Sequence, residues 1–279
     1  MTPPTTGSLR VPGATLHYEV RGQGPLLLLI PGGAGDAASY DGIADDLAAT
    51  RTVAAYDPRG LSRSPLDDPG ARQRVADHAE DALRLLEHLS PGEPAQVFGA
   101  SSGAVTALHL LTAHPERVAR AVVHEPPVVE VLPDAATQRE FLARVQHTLR
   151  TEGLGPAMAE FAAGLTADGA PPPAAAVELP PQAAARAERT RANLPYFLGR
   201  IVPGFMAYSP DLERLAGVAD RLVTACGADS TGELPQRAVT FLAQRLGTPL
   251  AEFPGGHIGL TTHPDAFRTR LVEALEDRT

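Results

Sequence analysis

Gly99-Ala100-Ser101-Ser102-Gly103 forms a G-x-S-x-G pentad between a strand-like run, Ala95-Gln96-Val97-Phe98, and a helix-like run from Ala104 to Ala113. A serine on a tight strand-to-helix turn projects its Oγ above a sheet, and flanking glycines keep Cβ atoms out of crowded positions. The amide N–H of Ser102 then faces the place where an oxyanion would form. In a chain with 26 glycines the pentad alone is a weak signal; its position between strand and helix carries the reading.

A serine hydroxyl is a poor nucleophile near neutrality and needs a base within hydrogen-bond reach. His257, in Pro254-Gly255-Gly256-His257, follows the last strand-like run and precedes the last helix-like one, on a loop that can return over the sheet edge towards Ser101. His78, His88, His109 and His147 fall in helical patterns, where surface or packing roles are commoner. His114 and His263 each precede proline, which reads as turn chemistry.

A carboxylate must orient the imidazole and stabilise its protonated form. Asp229, in Gly227-Ala228-Asp229, follows the penultimate strand; Glu125, in His124-Glu125-Pro126-Pro127, follows the strand after the elbow helix. Both positions fall on the same edge of a parallel sheet, so the residues alone leave the choice open. For the oxyanion, one donor is the Ser102 amide. The second should come from Pro31-Gly32-Gly33-Ala34-Gly35, with Gly33 as the first choice. That loop lacks the glycine and lysine spacing needed to cradle a dinucleotide or phosphate.

These residues need a frame, and strand and helix patterns alternate through most of the chain, which predicts a parallel sheet covered by helices. Thr15–Val20 alternates polar and apolar residues, Leu26–Ile30 reads as a fully buried strand, and further strands are expected at Thr52–Tyr56, Ala119–His124, Arg221–Ala225 and Pro249–Phe253. Helices are expected at Tyr40–Ala49, Gln73–Leu89 and Pro264–Glu276. From Pro126 to about Ala216 the strand runs vanish and helical stretches take over. That predicts a core domain built from 1–125 and 217–279 with a helical lid over 126–216, its Ala-Pro segments around 170–185 serving as linkers. In the lid, Tyr196, Phe205 and Tyr208 are the expected walls of an apolar substrate pocket.

The length of 279 residues suits one substantial core with an inserted lobe. A net charge of −9 argues against a nucleic-acid footprint. The single cysteine, Cys226, excludes an intrachain disulfide and closes an apolar run, which reads as packing. No signal-peptide pattern and no run long enough to cross a bilayer are visible, so a cytoplasmic protein without membrane attachment is expected.

The order of landmarks resembles the α/β-hydrolase superfamily over nearly the whole chain. Gly99–Gly103, His114-Pro115-Glu116-Arg117-Val118, His124-Glu125-Pro126, Phe253-Pro254-Gly255-Gly256-His257 and Thr262-His263-Pro264-Asp265-Ala266-Phe267 resemble the group that contains the fungal zearalenone lactonase. The resemblance implies a mostly parallel eight-stranded sheet flanked by helices. It also implies a triad of Ser101, Glu125 and His257, oxyanion donors at Gly33 and Ser102, and hydrolysis of an ester or lactone without cofactor or metal. The lactonase's lid tryptophan has no counterpart, because this chain has no tryptophan. Two other functions remain open: a biosynthetic thioesterase or C–C hydrolase using the same triad, and a non-catalytic binding protein on this scaffold. A small-molecule ester is the expected partner, and a homodimer through an apolar lid face is left open.

Overall fold

The computed structural model describes residues 3–167 and 181–276. Eight strands form one sheet: β1 (Thr5–Val11), β2 (Ala14–Arg21), β3 (Leu26–Ile30), β4 (Thr52–Tyr56), β5 (Ala95–Ala100), β6 (Val118–His124), β7 (Leu222–Gly227) and β8 (Leu250–Phe253). Their spatial order is β1-β2-β4-β3-β5-β6-β7-β8. β1 and β2 pair antiparallel, as do β2 and β4, and every other pairing is parallel.

The alternation of side chains along β3 builds both faces of the core at once. Leu26, Leu28 and Ile30 join one apolar cluster, and Leu27 and Leu29 join another on the opposite face. The first face is covered by α2 (Val75–Leu89) and α3 (Ser102–Ala113), through residues such as Leu83, Leu86, Val105 and Leu108. The second is covered by α1 (Asp41–Leu47) and the C-terminal helix Pro264–Glu276, through Ile43, Leu47, Phe267 and Leu271. Each fully buried aliphatic side chain of this kind contributes about 1.5–3 kcal/mol.

Between β6 and β7 the described chain carries helices joined by short loops and no strand. It runs through α4 (Ala135–Thr151), α5 (Leu154–Leu165), α6 (Pro181–Tyr196), a π-helical turn at Phe197–Ile201, α7 (Val202–Met206) and α8 (Leu212–Ala216). Phe141, Leu142, Val145, Phe161, Leu198, Val202 and Met206 give this insert its own apolar cluster, which reaches Leu234 of α9 (Leu234–Leu246). α10 (Gly259–Thr262) and α11 (Pro264–Glu276) close the chain. Most of the Ala-Pro segment expected to link the lid falls on residues 168–180, outside the described residues.

The structure shifts several expected ends by one or two residues and adds one strand. The helix expected at Tyr40–Ala49 is the 3₁₀ turn Ala37–Tyr40 followed by α1, and the one expected from Gln73 begins at Val75. β1 was not anticipated as a strand. Its sequence, TTGSLRV, is polar because it lies at the edge of the sheet, pairing only with β2 through the Pro12-Gly13 turn. Cys226 is buried and unpaired, as expected, and burial pushes its thiol up to about 11. Among the described residues no helix is long and apolar enough to cross a membrane.

Candidate active site

Parallel strands present their carboxyl ends on one edge, where crevices form. Four segments that leave this edge meet: the loop after β3 with Gly32 and Gly33, the turn after β5 with Ser101, the turn after β6 with Glu125, and the loop after β8 with His257.

Ser101 sits at φ 51°, ψ −120° immediately before α3, a conformation that L-residues seldom adopt. Its N–H donates to His124 O at 2.9 Å, and its carbonyl accepts from Ala104 N at 2.9 Å. The glycines of the pentad serve close approach: a Cβ on Gly99 would strike the backbone of Gly103, and one on Gly103 would strike Ile30 O. Gly32 is equally confined, because a Cβ there would overlap Ala100 O and the Ser101 side chain.

Glu125 also has a positive φ, 50°, and its N–H donates to Ala225 O at 2.9 Å. Its side chain is fully buried and both oxygens are used. Oε1 accepts from Gly227 N at 2.8 Å, and Oε2 lies 2.6 Å from His257 Nδ1. Burial alone would raise this carboxyl. The hydrogen bond and charge of His257, helped by His124 and the Gly227 N–H, outweigh burial and hold it below the usual range. An ionised Glu125 accepts a proton donor from Nδ1, which leaves His257 Nε2 as the acceptor nitrogen. Asp229, the rival acid, is exposed; its N–H donates to Gly255 O at 3.0 Å, and its carboxylate makes no hydrogen bond to His257.

Ser101, Ser102, Gly33 and His257 all line one cavity of about 190 Å³. Ser101 Oγ makes no hydrogen bond to the imidazole among the described residues, a looseness common in ligand-free sites. Gly33, at φ 61°, donates its N–H to Ser102 Oγ at 2.9 Å. The donor expected to face an oxyanion is therefore satisfied internally, and a substrate carbonyl would have to displace the Ser102 hydroxyl. No motif reading could find that competition, because it depends on a rotamer.

The walls of the cavity are apolar: Pro127, Phe161, Leu165, Phe197, Ile201 and Met206 stand beside Phe205, the one of the three expected wall residues that lines it. Tyr196 instead packs its ring over Gly60. Tyr208 turns to α3, where its hydroxyl meets His109 Nδ1 at 2.9 Å. Phe161 and Leu165 carried a usable signal in their i,i+4 spacing on one helix face.

A polar clasp ties the insert to the loop that carries Gly33. Asn193 of α6 donates from Nδ2 to Ala34 O and to Ser62 Oγ, both at 2.9 Å, and accepts from Ser62 N at 2.9 Å. Arg189 Nε donates to Asp36 Oδ2 at 2.6 Å. Asn193 and Asp36 are both buried. No group of three or more His, Cys, Asp or Glu that could hold a metal ion occurs among the described residues.

Known proteins resemble this chain in sequence and fold. A family model of the alpha/beta hydrolase fold matches residues 25–152. An uncharacterized hydrolase of Bacillus subtilis, YraK, is 36% identical over 276 residues, spanning 97% of this chain and 96% of that protein. A zearalenone hydrolase of Cladophialophora bantiana is 29% identical over 265 residues, spanning 94% and 92%. The solved structure of a hydrolase from Pseudomonas aeruginosa PA01 superposes with a TM-score of 0.70 at 24% identity, covering 98% of each chain. Fold, strand order and full-length similarity agree, and the chain belongs to the alpha/beta hydrolase family.

Proposed function

We propose that the protein is a serine hydrolase of carboxylic esters, lactones included, working through Ser101, His257 and Glu125. The observation that carries this reading is the buried Glu125 carboxylate 2.6 Å from His257 Nδ1, with Ser101 on a strained elbow in the same cavity.

His257 Nε2 takes the Ser101 proton as Oγ attacks the ester carbon. The carbonyl oxygen becomes an oxyanion held by the Ser102 N–H and by the Gly33 N–H once the Ser102 hydroxyl has turned away. Glu125 keeps Nε2 unprotonated beforehand and stabilises the imidazolium afterwards. As the tetrahedral adduct collapses, the imidazolium gives its proton to the leaving alcohol, and an acyl group stays on Ser101. A water then gives a proton to His257 and attacks the acyl carbon. Release of the acid returns the proton to Ser101. The segment 126–216 acts as a lid over the core formed by 1–125 and 217–279, with Phe205 among the residues that hold the apolar part of the substrate.

Two zearalenone hydrolases among the relatives, at 29% and 28% identity, make that lactone the first to assay. Zearalenone and a short 4-nitrophenyl ester series are to be compared in wild type and Ser101→Ala. Serine-dependent turnover of either supports the reading, and turnover that survives in Ser101→Ala overturns it.

A further inference from the structure

Two chambers meet at Ser101 and His257, and they differ in character. The one already described, about 190 Å³, is closed by apolar side chains of the insert. The other, about 210 Å³, is lined by Ser39, Tyr40, Arg186, Ile258, Leu260 and Thr261 together with Ser101, His257 and Gly33. Among the described residues Arg186 is the only Arg, Lys, Asp or Glu that lines it.

An ester has two arms, and the two chambers divide them. Ser102, one oxyanion donor, lines the apolar chamber and not the second. Gly33, the other donor, lines both chambers, so the carbonyl oxygen sits at their junction, and the apolar chamber suits an apolar acyl group. His257, which must protonate the departing oxygen, lines both chambers, but the residues that follow it, Ile258, Leu260 and Thr261, line only the second, which places the alcohol arm there.

Arg186 is placed to read that arm. One of its N–H groups donates to Ala38 O at 3.2 Å, and a guanidinium has four more. Among the described residues no carboxylate lies within ion-pair distance of it. Asp41, which feels its charge, is itself paired with Arg21 at 2.7 Å. Ile258, which also lines this chamber, is 62% exposed and the only large apolar residue so open among those described. An exposed apolar side chain beside a guanidinium that has no carboxylate partner among the described residues suits an amphiphilic arm with a terminal anion.

We infer that Arg186 forms an anion-binding subsite for the alcohol arm. The preferred substrates are then esters with an apolar acyl group and a carboxylate, or another anionic group, on the leaving alcohol. A lactone meets this requirement when its ring is large enough to straddle Ser101. The inference rests on the esterase reading for its catalytic consequence, but the subsite itself can be tested without turnover.

The test compares 4-carboxyphenyl hexanoate with its neutral analogue 4-carbamoylphenyl hexanoate, in wild type, Arg186→Gln and the exposed-site control Arg191→Gln. Comparing the kcat/KM ratio of the two esters across variants cancels their leaving-group chemistry. Arg186→Gln should lower the carboxylate-to-amide ratio about tenfold, while Arg191→Gln leaves it unchanged. Binding of 4-hydroxybenzoate, measured by calorimetry on Ser101→Ala and on Ser101→Ala/Arg186→Gln, should weaken by a similar factor. A ratio within twofold of wild type, together with equal binding by the two Ser101→Ala proteins, overturns the subsite. Arg186-dependent binding without hydrolysis of either ester, of zearalenone or of the 4-nitrophenyl esters would uphold the subsite and overturn the esterase reading.

Discussion

Replacing Glu125 by glutamine separates its chemical role from its structural one. The carboxylate is fully buried between two donors, Gly227 N at 2.8 Å and His257 Nδ1 at 2.6 Å. Glutamine has the same shape but only one acceptor oxygen, so one of those contacts must change sense. If its oxygen faced His257, its NH₂ group would oppose the Gly227 N–H and leave buried donors unsatisfied, which costs about 1–3 kcal/mol. If its oxygen instead keeps Gly227, the NH₂ group donates to Nδ1 and moves the ring proton to Nε2. Both contacts are then kept and only one amide hydrogen lacks an acceptor, so this second arrangement prevails. An Nε2–H cannot accept the Ser101 proton, and wrong-tautomer variants of other triads lose about 10⁴-fold in kcat. Glu125→Gln should therefore lower kcat on a neutral ester about 10³- to 10⁴-fold while the melting temperature hardly moves. Asp229→Asn, at an exposed carboxylate with no bond to His257, should leave kcat within twofold. The assay is steady-state hydrolysis of 4-nitrophenyl esters alongside thermal denaturation of each variant. Glu125→Gln within tenfold of wild type, or an equal loss in Asp229→Asn, would refute the reasoning.

Other perturbations have equally definite outcomes. Gly32→Ala should abolish activity and expression of folded protein, because its Cβ overlaps Ala100 O and the Ser101 side chain. Gly33→Ala meets no atom within 4 Å and should lose only roughly 1 kcal/mol for its positive φ, as denaturant titration would show. Asn193→Ala opens the clasp between α6 and the Gly33 loop; unfolding should become easier by roughly 2 kcal/mol, and kcat should fall more than KM rises. His124 is buried, with its Nε2 unpartnered, and burial followed by the opposing pull of Glu125 leaves it pushed down to about 4. The unfolded chain then binds this proton more readily, so stability is full above about pH 6.5 and falls by about 3 kcal/mol by pH 4. The depressed Glu125 adds a further loss as pH drops below its ordinary value near 4.5, since its favourable charge is present only above its folded value. Acid titration of His124→Leu should show a shallower decline between pH 6.5 and 4; an unchanged curve would remove His124 from this account.

The sequence made the candidate catalytic edge readable because each element there carries a strong local signal. Leu26–Ile30 is apolar at every position because both faces of β3 are covered, and Gly99 and Gly103 are glycines because backbone lies where their Cβ atoms would be. The acid was harder. Glu125 and Asp229 both end strands that point at the same edge, and only the fold shows one carboxylate buried against the imidazole and the other in solvent. The helical insert was the least readable part. Tyr196, Phe205 and Tyr208 are alike as large, largely apolar residues, but the turn of chain at Phe197–Met206 sends Phe205 into the cavity and the two tyrosines onto Gly60 and His109. β1 was hidden because an edge strand needs little apolar surface, and the bond between Gly33 N and Ser102 Oγ because no residue type encodes it.

The most direct check on the proposed mechanism is stoichiometric labelling with a fluorophosphonate, followed by peptide mapping, in wild type, Ser101→Ala and His257→Ala. The mechanism predicts one adduct per chain on Ser101, none on Ser102, no labelling of Ser101→Ala and strongly slowed labelling of His257→Ala. An adduct elsewhere, or labelling at the wild-type rate without His257, would contradict it.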